Sequence, residues 1–375
     1  MAWLYTFRVA LQQEVAPTPG SGESFDAKSV GPSVPKSKWA LLGGMRFFLA
    51  SIVAATHLHN VFGSRTSEFI GSAAFEAIIG FLAISGFSIA NSYHRDPMGY
   101  LKRRAERILP VYWACIALAL GALFLLNEPM PRPITLVWNL LFLNGAMTPV
   151  SVVGPSWTLS VEVWLYALAP LFNRLSFLVL RLITYGSLLF FAAYSFLRSA
   201  KHLPYYAGTI DAIGLFALAY AWICGWNLAG YRDAKRTVAR TDLWIAMIAT
   251  VAVRVGVQAA SALHRHSPSD LAHALPEDAW SLAILVLAGL CLQAGDLNIP
   301  QRTQNVLRYL GDISYPLYLS HITVFQLIKQ FQPETVPLVA YLVSLLVSVA
   351  ILFVFDRYTI NRERRAAKLP SHTQA

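Results

Sequence analysis

The sequence predicts an all-α, polytopic membrane protein of about ten transmembrane helices with both termini cytoplasmic. Three observations predict it: 56% of the 375 residues are hydrophobic, only 13% are charged, and the apolar residues fall into ten long runs. A soluble domain carries roughly 25% charged residues and has no core large enough for such a surplus. A bilayer accommodates it, because a helix of about 20 apolar residues spans the hydrocarbon while satisfying its own backbone hydrogen bonds.

The runs lie near 40–62, 70–92, 108–127, 156–173, 175–197, 208–230, 242–263, 279–295, 309–328 and 336–356, divided by charged or Pro/Gly-rich breaks. The apolar stretch 134–147 is short and is flanked by Pro131, Pro133 and Pro149, so it reads as an interfacial or re-entrant piece. Residues 1–37 are rich in Gly, Ser and Pro and read as a disordered cytoplasmic tail without the apolar region and cleavage site of a secretory signal. The membrane domain is expected over 38–358 and a basic cytoplasmic tail over 359–375.

The net charge of +10 is explained by its distribution. With the N-terminus inside, 23 of the 30 Lys and Arg fall in cytoplasmic segments, six fall outside and Arg254 lies within a span. That asymmetry is the positive-inside pattern, so the basic balance reports topology and not nucleic-acid binding. Cys115, Cys224 and Cys291 sit far apart in apolar runs, which predicts packing residues and neither a metal site nor a disulfide framework. No internal repeat suggests the paired halves of a transporter.

A charge at mid-membrane costs about 2.5–3.5 kcal/mol, so ionisable residues in the runs are the functional candidates. Arg46 and His57 are eleven residues apart, on one face of the first helix and ~16 Å apart along it. A snorkelling arginine and an interhelical histidine would explain the same pair. In YLKRRAERILPVYW, Arg103, Arg104 and Arg107 precede Pro110 at the cytoplasmic mouth; guanidinium forks suit phosphate oxygens such as those of coenzyme A, and also serve as ordinary anchors.

GPSWTLSVEVWLY opens the fourth span, placing Glu162 below its start, with Ser156 and Ser160 on one face and Glu162 and Tyr166 on another. The serines would also serve simply to join helices. In LGDISYPLYLSHITVF, Ser314, Tyr318 and His321 share a side of the ninth span. His57, Glu162 and His321 are therefore expected at similar depth in the outer half, around one polar chamber. Glu76, Asp211, Arg254 and Asp312 are further ionisable residues that the sequence leaves unpaired.

RFFLASIVAATH (46–57), FLAISGFSIA (81–90), RRAERILPVYW (103–113), SWTLSVEVWLY (156–166) and LGDISYPLYLSH (310–321) together resemble the signature segments of the acyltransferase-3 family, integral membrane O-acyltransferases of surface carbohydrates. The resemblance runs in order from about 38 to 358. It implies acyl transfer from acyl-CoA, acetyl-CoA in the first instance, as co-substrate, with no permanently bound cofactor and no metal, onto a hydroxyl of a cell-surface or exported carbohydrate, in a multi-pass protein of a bacterial inner membrane.

Carried over by residue, it places His57, Glu162 and His321 in catalysis, Arg46, Arg104 and Arg107 at the donor, and Ser156, Trp157, Ser160 and Tyr318 at the oxyanion or in positioning. His57 is then the general base, Glu162 orients an imidazole, and Tyr318 or Ser160 donates to the oxyanion. Val163, Trp164 and Ile79 stand where the family pattern is more polar or acidic, which is expected to change donor or acceptor. No fused esterase-like domain is expected after the tenth run. An acyl-His or acyl-Ser relay, a small-metabolite acceptor, and a transporter of different mechanism are the alternatives the sequence leaves open.

Overall fold

A computed structural model describes residues 34–231, 233–264 and 269–368, excepting the side chains of 270 and 356–368. The tails expected over 1–37 and 359–375 lie mostly outside the described residues; residues 34–37 lead into the first helix, and the backbone of the last helix is described to Lys368.

Among the described residues twelve α-helices follow one another: α1 Lys36–Phe62, α2 Arg65–Gly71, α3 Ala74–Arg95, α4 Tyr100–Leu125, α5 Pro133–Leu140, α6 Ser156–Phe172, α7 Phe177–Lys201, α8 Ile213–Gly230, α9 Asp233–His264, α10 Ser269–Gln293, α11 Gln301–Phe331 and α12 Pro337–Lys368. Among the described residues eight are long and apolar enough to cross a membrane: α1, α3, α4, α7, α8, α9, α10 over Leu271–Gln293 and α12 over Pro337–Phe355. The other two expected spans are α6, which has 17 residues, and α11, which is long but interrupted by Asp312, Ser314, Tyr318, Ser320 and His321. α6 packs on α3 and α8, and α11 on α1; apart from the exposed Asp312, these polar residues of α11 face inward. Residues 134–147 form the eight-residue α5 and a turn, too short to span.

Exposure is the reverse of that in a soluble protein. Phe124, Leu189, Leu346 and Ile248 project outward from α4, α7, α12 and α9, while Ser156, Thr158 and Ser160 of α6 and Ser314, Ser320 and His321 of α11 are enclosed. Such an apolar outer surface suits lipid contact. This is a multi-pass membrane protein.

Two close helix contacts set the interior. α8 is buried almost all round and meets α3 backbone to backbone: a Cβ on Gly86 would stand 1.9 Å from the Trp222 carbonyl oxygen, and one on Gly225 would stand 1.9 Å from that of Ala83. α1 and α11 run side by side in the same direction, and a Cβ on Gly311 would fall 2.6 Å from the Gly43 Cα. Small residues allow such approaches where lipid gives no hydrophobic drive for association. The second contact brings the two histidine-bearing helices together.

Candidate active site

The α1–α11 contact puts His57 against His321. His321 is fully buried, and its Nδ1 lies 2.9 Å from the Leu317 carbonyl one turn back. A carbonyl only accepts, so Nδ1 carries the proton and Nε2 holds the lone pair of the neutral ring. His57 Nδ1 is 3.0 Å from the Val53 carbonyl and 3.0 Å from His321 Nε2. Both neighbours are acceptors, so His57 Nδ1 is also an N–H. These tautomers are assigned from the hydrogen-bond partners. They leave the lone pair of the half-buried His57 on Nε2, the nitrogen free to take a proton.

Toward the other end of α1 lies a cavity with an empty volume of about 900 Å³, open mouth included. Arg46 of α1, Arg104 and Arg107 of α4, Ser85 of α3, Glu162 of α6 and Tyr318 of α11 are among its lining residues. Thus the three donor-site arginines expected from sequence converge on one space, although they come from two helices far apart in the chain.

Their states differ in a way that sequence could not show. Arg103, the other arginine of that motif, is committed to the α3–α4 turn, binding the Asp96 carboxylate and, at 3.2 Å and 2.8 Å, the Ser92 and Asp96 carbonyls. The Asp96 carboxyl is held below the usual carboxylate range by the Gly99 amide and by Arg103. Arg107 stands half-exposed with Asp312 at 3.8 Å. Arg46 and Arg104 have no hydrogen bond or ion pair among the described residues, and the Nε of each is buried without a partner. Two such donors beside one cavity suit an anionic ligand with several acceptor oxygens.

Glu162 requires a correction. It does not share the depth of the histidines and does not orient an imidazole. It lies beside Ser85, Tyr166, Arg46 and Arg104. Thr158 of the same helix bonds Tyr318 at 2.6 Å, and Tyr318 is one turn from His321, so Glu162 lies ~10 Å from the histidines along the helix axes, toward the arginines. Counting from the helix start put it too high because α6 begins deep, after the loop that follows α5. The position beside the His57 imidazole is filled by His321 instead.

Ser160 and Ser156 also fall elsewhere. Ser160 donates to the Asn144 side-chain oxygen, and Asn144 Nδ2 donates to Ser151 at 2.8 Å and Ser156 at 3.3 Å. Both serines therefore fasten the α5–α6 loop, and the expected oxyanion role of Ser160 is not open to it. Trp157 is buried, with its ring 5.9 Å from that of Tyr205. Tyr318 lines the cavity at its histidine end, in its bond with Thr158, whose own hydroxyl donates to the Pro155 carbonyl at 3.1 Å.

Sequence reasoning missed Asn139, Asn144 and Thr158. Asn139 is fully buried, receives Val152 N–H at 2.9 Å on its side-chain oxygen and donates to the Val150 carbonyl at 3.0 Å. Two asparagines in the otherwise apolar 134–147 stretch were the available signal. Of the ionisable residues left unpaired by sequence, Glu76 joins Arg254 at 3.4 Å and Asp312 joins Arg107. Asp211 precedes α8 in an exposed turn, outside the span expected to hold it.

A family model described as an acyltransferase domain matches residues 39–357. The chain is also 25% identical over 258 residues to a protein of Acidianus two-tailed virus named "Putative acetyltransferase ORF330", covering 66% of this chain and 72% of that one. No solved structure matches the chain significantly.

Proposed function

The chain belongs to the acyltransferase-3 family, so it is a membrane acyltransferase, and on that premise we propose that it moves an acyl group, in the first instance acetyl, from acyl-CoA to a hydroxyl of a cell-surface or exported carbohydrate. The observation that carries this reading is one cavity lined by the unpartnered Arg46 and Arg104 and, toward the histidines, by Tyr318, one turn from His321 and its bond to His57. The phosphates of the donor are held by Arg46 and Arg104, with Arg107 at the mouth. The pantetheine arm then extends along α1, where ~16 Å of helix separates Arg46 from His57. On this reading the membrane is a bacterial inner one, and the positive-inside pattern supports a cytoplasmic arginine end, on the side where acyl-CoA is made.

An alcohol holds its proton at neutral pH, so the base decides the rate. His57 Nε2 takes the acceptor's hydroxyl proton as the oxygen bonds to the thioester carbon. The imidazolium formed keeps its Nδ1–H on His321 Nε2, which serves the orienting role that a carboxylate serves in serine hydrolases. The oxyanion takes the Tyr318 hydroxyl, which exchanges Thr158 for it. The C–S bond then breaks, and His57 returns the proton to the leaving thiolate. Direct transfer needs no acyl-enzyme.

The test is acyl-CoA-dependent labelling of glycan and lipid fractions by wild type and His57→Ala at matched membrane abundance. Wild type labels a hydroxyl-bearing fraction, and the variant loses about 10²–10⁴-fold, the range for losing a general base. Equal labelling by the two would remove His57 from the reaction.

A further inference from the structure

A second cavity, of about 650 Å³ of empty space with its mouth included, is unused by the donor. α3 lines both cavities: Phe75 and Glu76 face the second, while Ile78, Phe81 and Ser85 face the first. Its two sides have different chemistry. One is aromatic, built from Phe75, Phe191, Tyr205 and Tyr206, with Phe75 stacked 5.6 Å from both Phe191 and Tyr206. The other is polar, because Thr250, Arg254 and Gln258 recur every four residues along one face of α9.

Short links on both sides join the wall of this cavity to the neighbours of the histidine pair. Arg254 donates to the Ser72 carbonyl at 2.8 Å, and the neighbouring Gly71 carbonyl accepts from Thr56, next to His57, at 2.6 Å. On the opposite side Tyr205 packs on Trp157, the neighbour of Thr158, which bonds Tyr318 one turn from His321. The walls of both cavities are therefore tied to the two helices that carry the histidines, this one through Thr56 and the first through Tyr318.

Two polar atoms lining the cavity are buried without partners, Arg198 Nε and Gln258 Oε1. Arg254 is already matched by Glu76 at 3.4 Å, Glu277 at 3.4 Å and Asp278 at 2.8 Å. Of the two cations that line the cavity, Arg254 is thus taken up by carboxylates, one of which, Glu76, lines the cavity too, so an incoming anion finds little free counter-charge there beyond Arg198.

We propose that this cavity is the acceptor's site and that it takes an uncharged ring polyol, its C–H face on the aromatic wall and its hydroxyls on α9, in preference to an anionic one. Aromatic faces suit the apolar side of such a ring, and the orphaned Gln258 oxygen suits a hydroxyl donor. The proposal rests on the acyl-transfer reading for its meaning, and its binding test does not require turnover.

The experiment is saturation-transfer NMR on the full chain in lipid nanodiscs, with methyl glycosides of glucose, galactose and mannose as neutral probes and methyl glucuronide as the anionic one. Coenzyme A binding is measured on the same samples. Wild type and Arg104→Ala transfer saturation to at least one neutral glycoside and less to the glucuronide. Gln258→Leu and Phe75→Leu weaken that binding roughly tenfold, as loss of one buried hydrogen bond or one stacking contact would, while coenzyme A binding stays at the wild-type level.

No transfer to any neutral glycoside, equal transfer in the cavity variants, or a preference for the glucuronide overturns the proposal while coenzyme A binding stands. Glycoside binding without coenzyme A binding would instead sink the acyl-transfer reading.

Discussion

His57 and His321 look equivalent in sequence, each a histidine in an apolar run, and the structure separates their roles by which nitrogen each has left. His321 spends Nδ1 on Leu317 and Nε2 on His57, while His57 keeps Nε2. Replacing His321 therefore acts through the orientation of His57. His321→Gln retains a side-chain oxygen able to accept from His57 Nδ1, whereas His321→Leu does not. We expect His321→Leu to lower kcat about 10²-fold with KM for acyl-CoA unchanged, and His321→Gln to recover part of the loss; steady-state kinetics on purified protein check both. An equal loss in the two variants would mean that His321 matters only for packing. The arginines divide in the same way: Arg103 serves the turn and Arg104 is uncommitted. Arg104→Ala should raise KM for acyl-CoA roughly 10–100-fold, the worth of about 1.5–3 kcal/mol for a hydrogen bond to a charged group. Arg103→Ala should change stability instead, measured as a fall in Tm.

At the scale of elements, the position of α6 decides what its polar face can do. The helix starts at Ser156, after a loop held from inside by Asn139 and Asn144, so Ser156 and Ser160 meet that loop and Glu162 meets the arginine cavity. Ser160→Ala is then expected to leave acyl transfer per folded molecule at the wild-type level while costing about 1–3 kcal/mol, because it leaves the buried Asn144 oxygen unmatched. Thermal unfolding in parallel with activity distinguishes this from a catalytic role. The spans, the short nature of 134–147 and the shared face of Arg46 and His57 were readable in sequence, because apolar run length and helical period are local properties. The depth of Glu162 was not. It depends on where α6 begins relative to α1 and α11, which is fixed by the Asn144 contacts and by the glycine contact between Gly43 and Gly311, neither of which has a period. For the same reason sequence put His57 and His321 at one depth without revealing the hydrogen bond between them.

Across the whole molecule, the two ends of the bundle hold different chemistry, and the proposed reaction requires both. Arg46, Arg104 and Arg107 converge at one end of the long cavity, and the histidine pair with the aromatic second cavity lies toward the other. The charge distribution, 23 of 30 basic residues on one side of the predicted spans, assigns the arginine end to the cytoplasm. On the proposed function, an acyl group entering from there travels only along α1 to meet an acceptor approaching from the outside, and neither substrate has to cross the bilayer. This fixes a sidedness that thiol labelling reads directly. Cys115, Cys224 and Cys291 are all buried, so the native chain gives little background. Lys329→Cys, exposed near the end of α11 beyond His321, should react with a membrane-impermeant maleimide in intact spheroplasts, while Arg302→Cys, exposed at the start of the same helix, should react only after lysis. The opposite pattern would turn the bundle over, place the arginines away from the acyl-CoA pool, and leave the donor cavity facing a compartment with no donor.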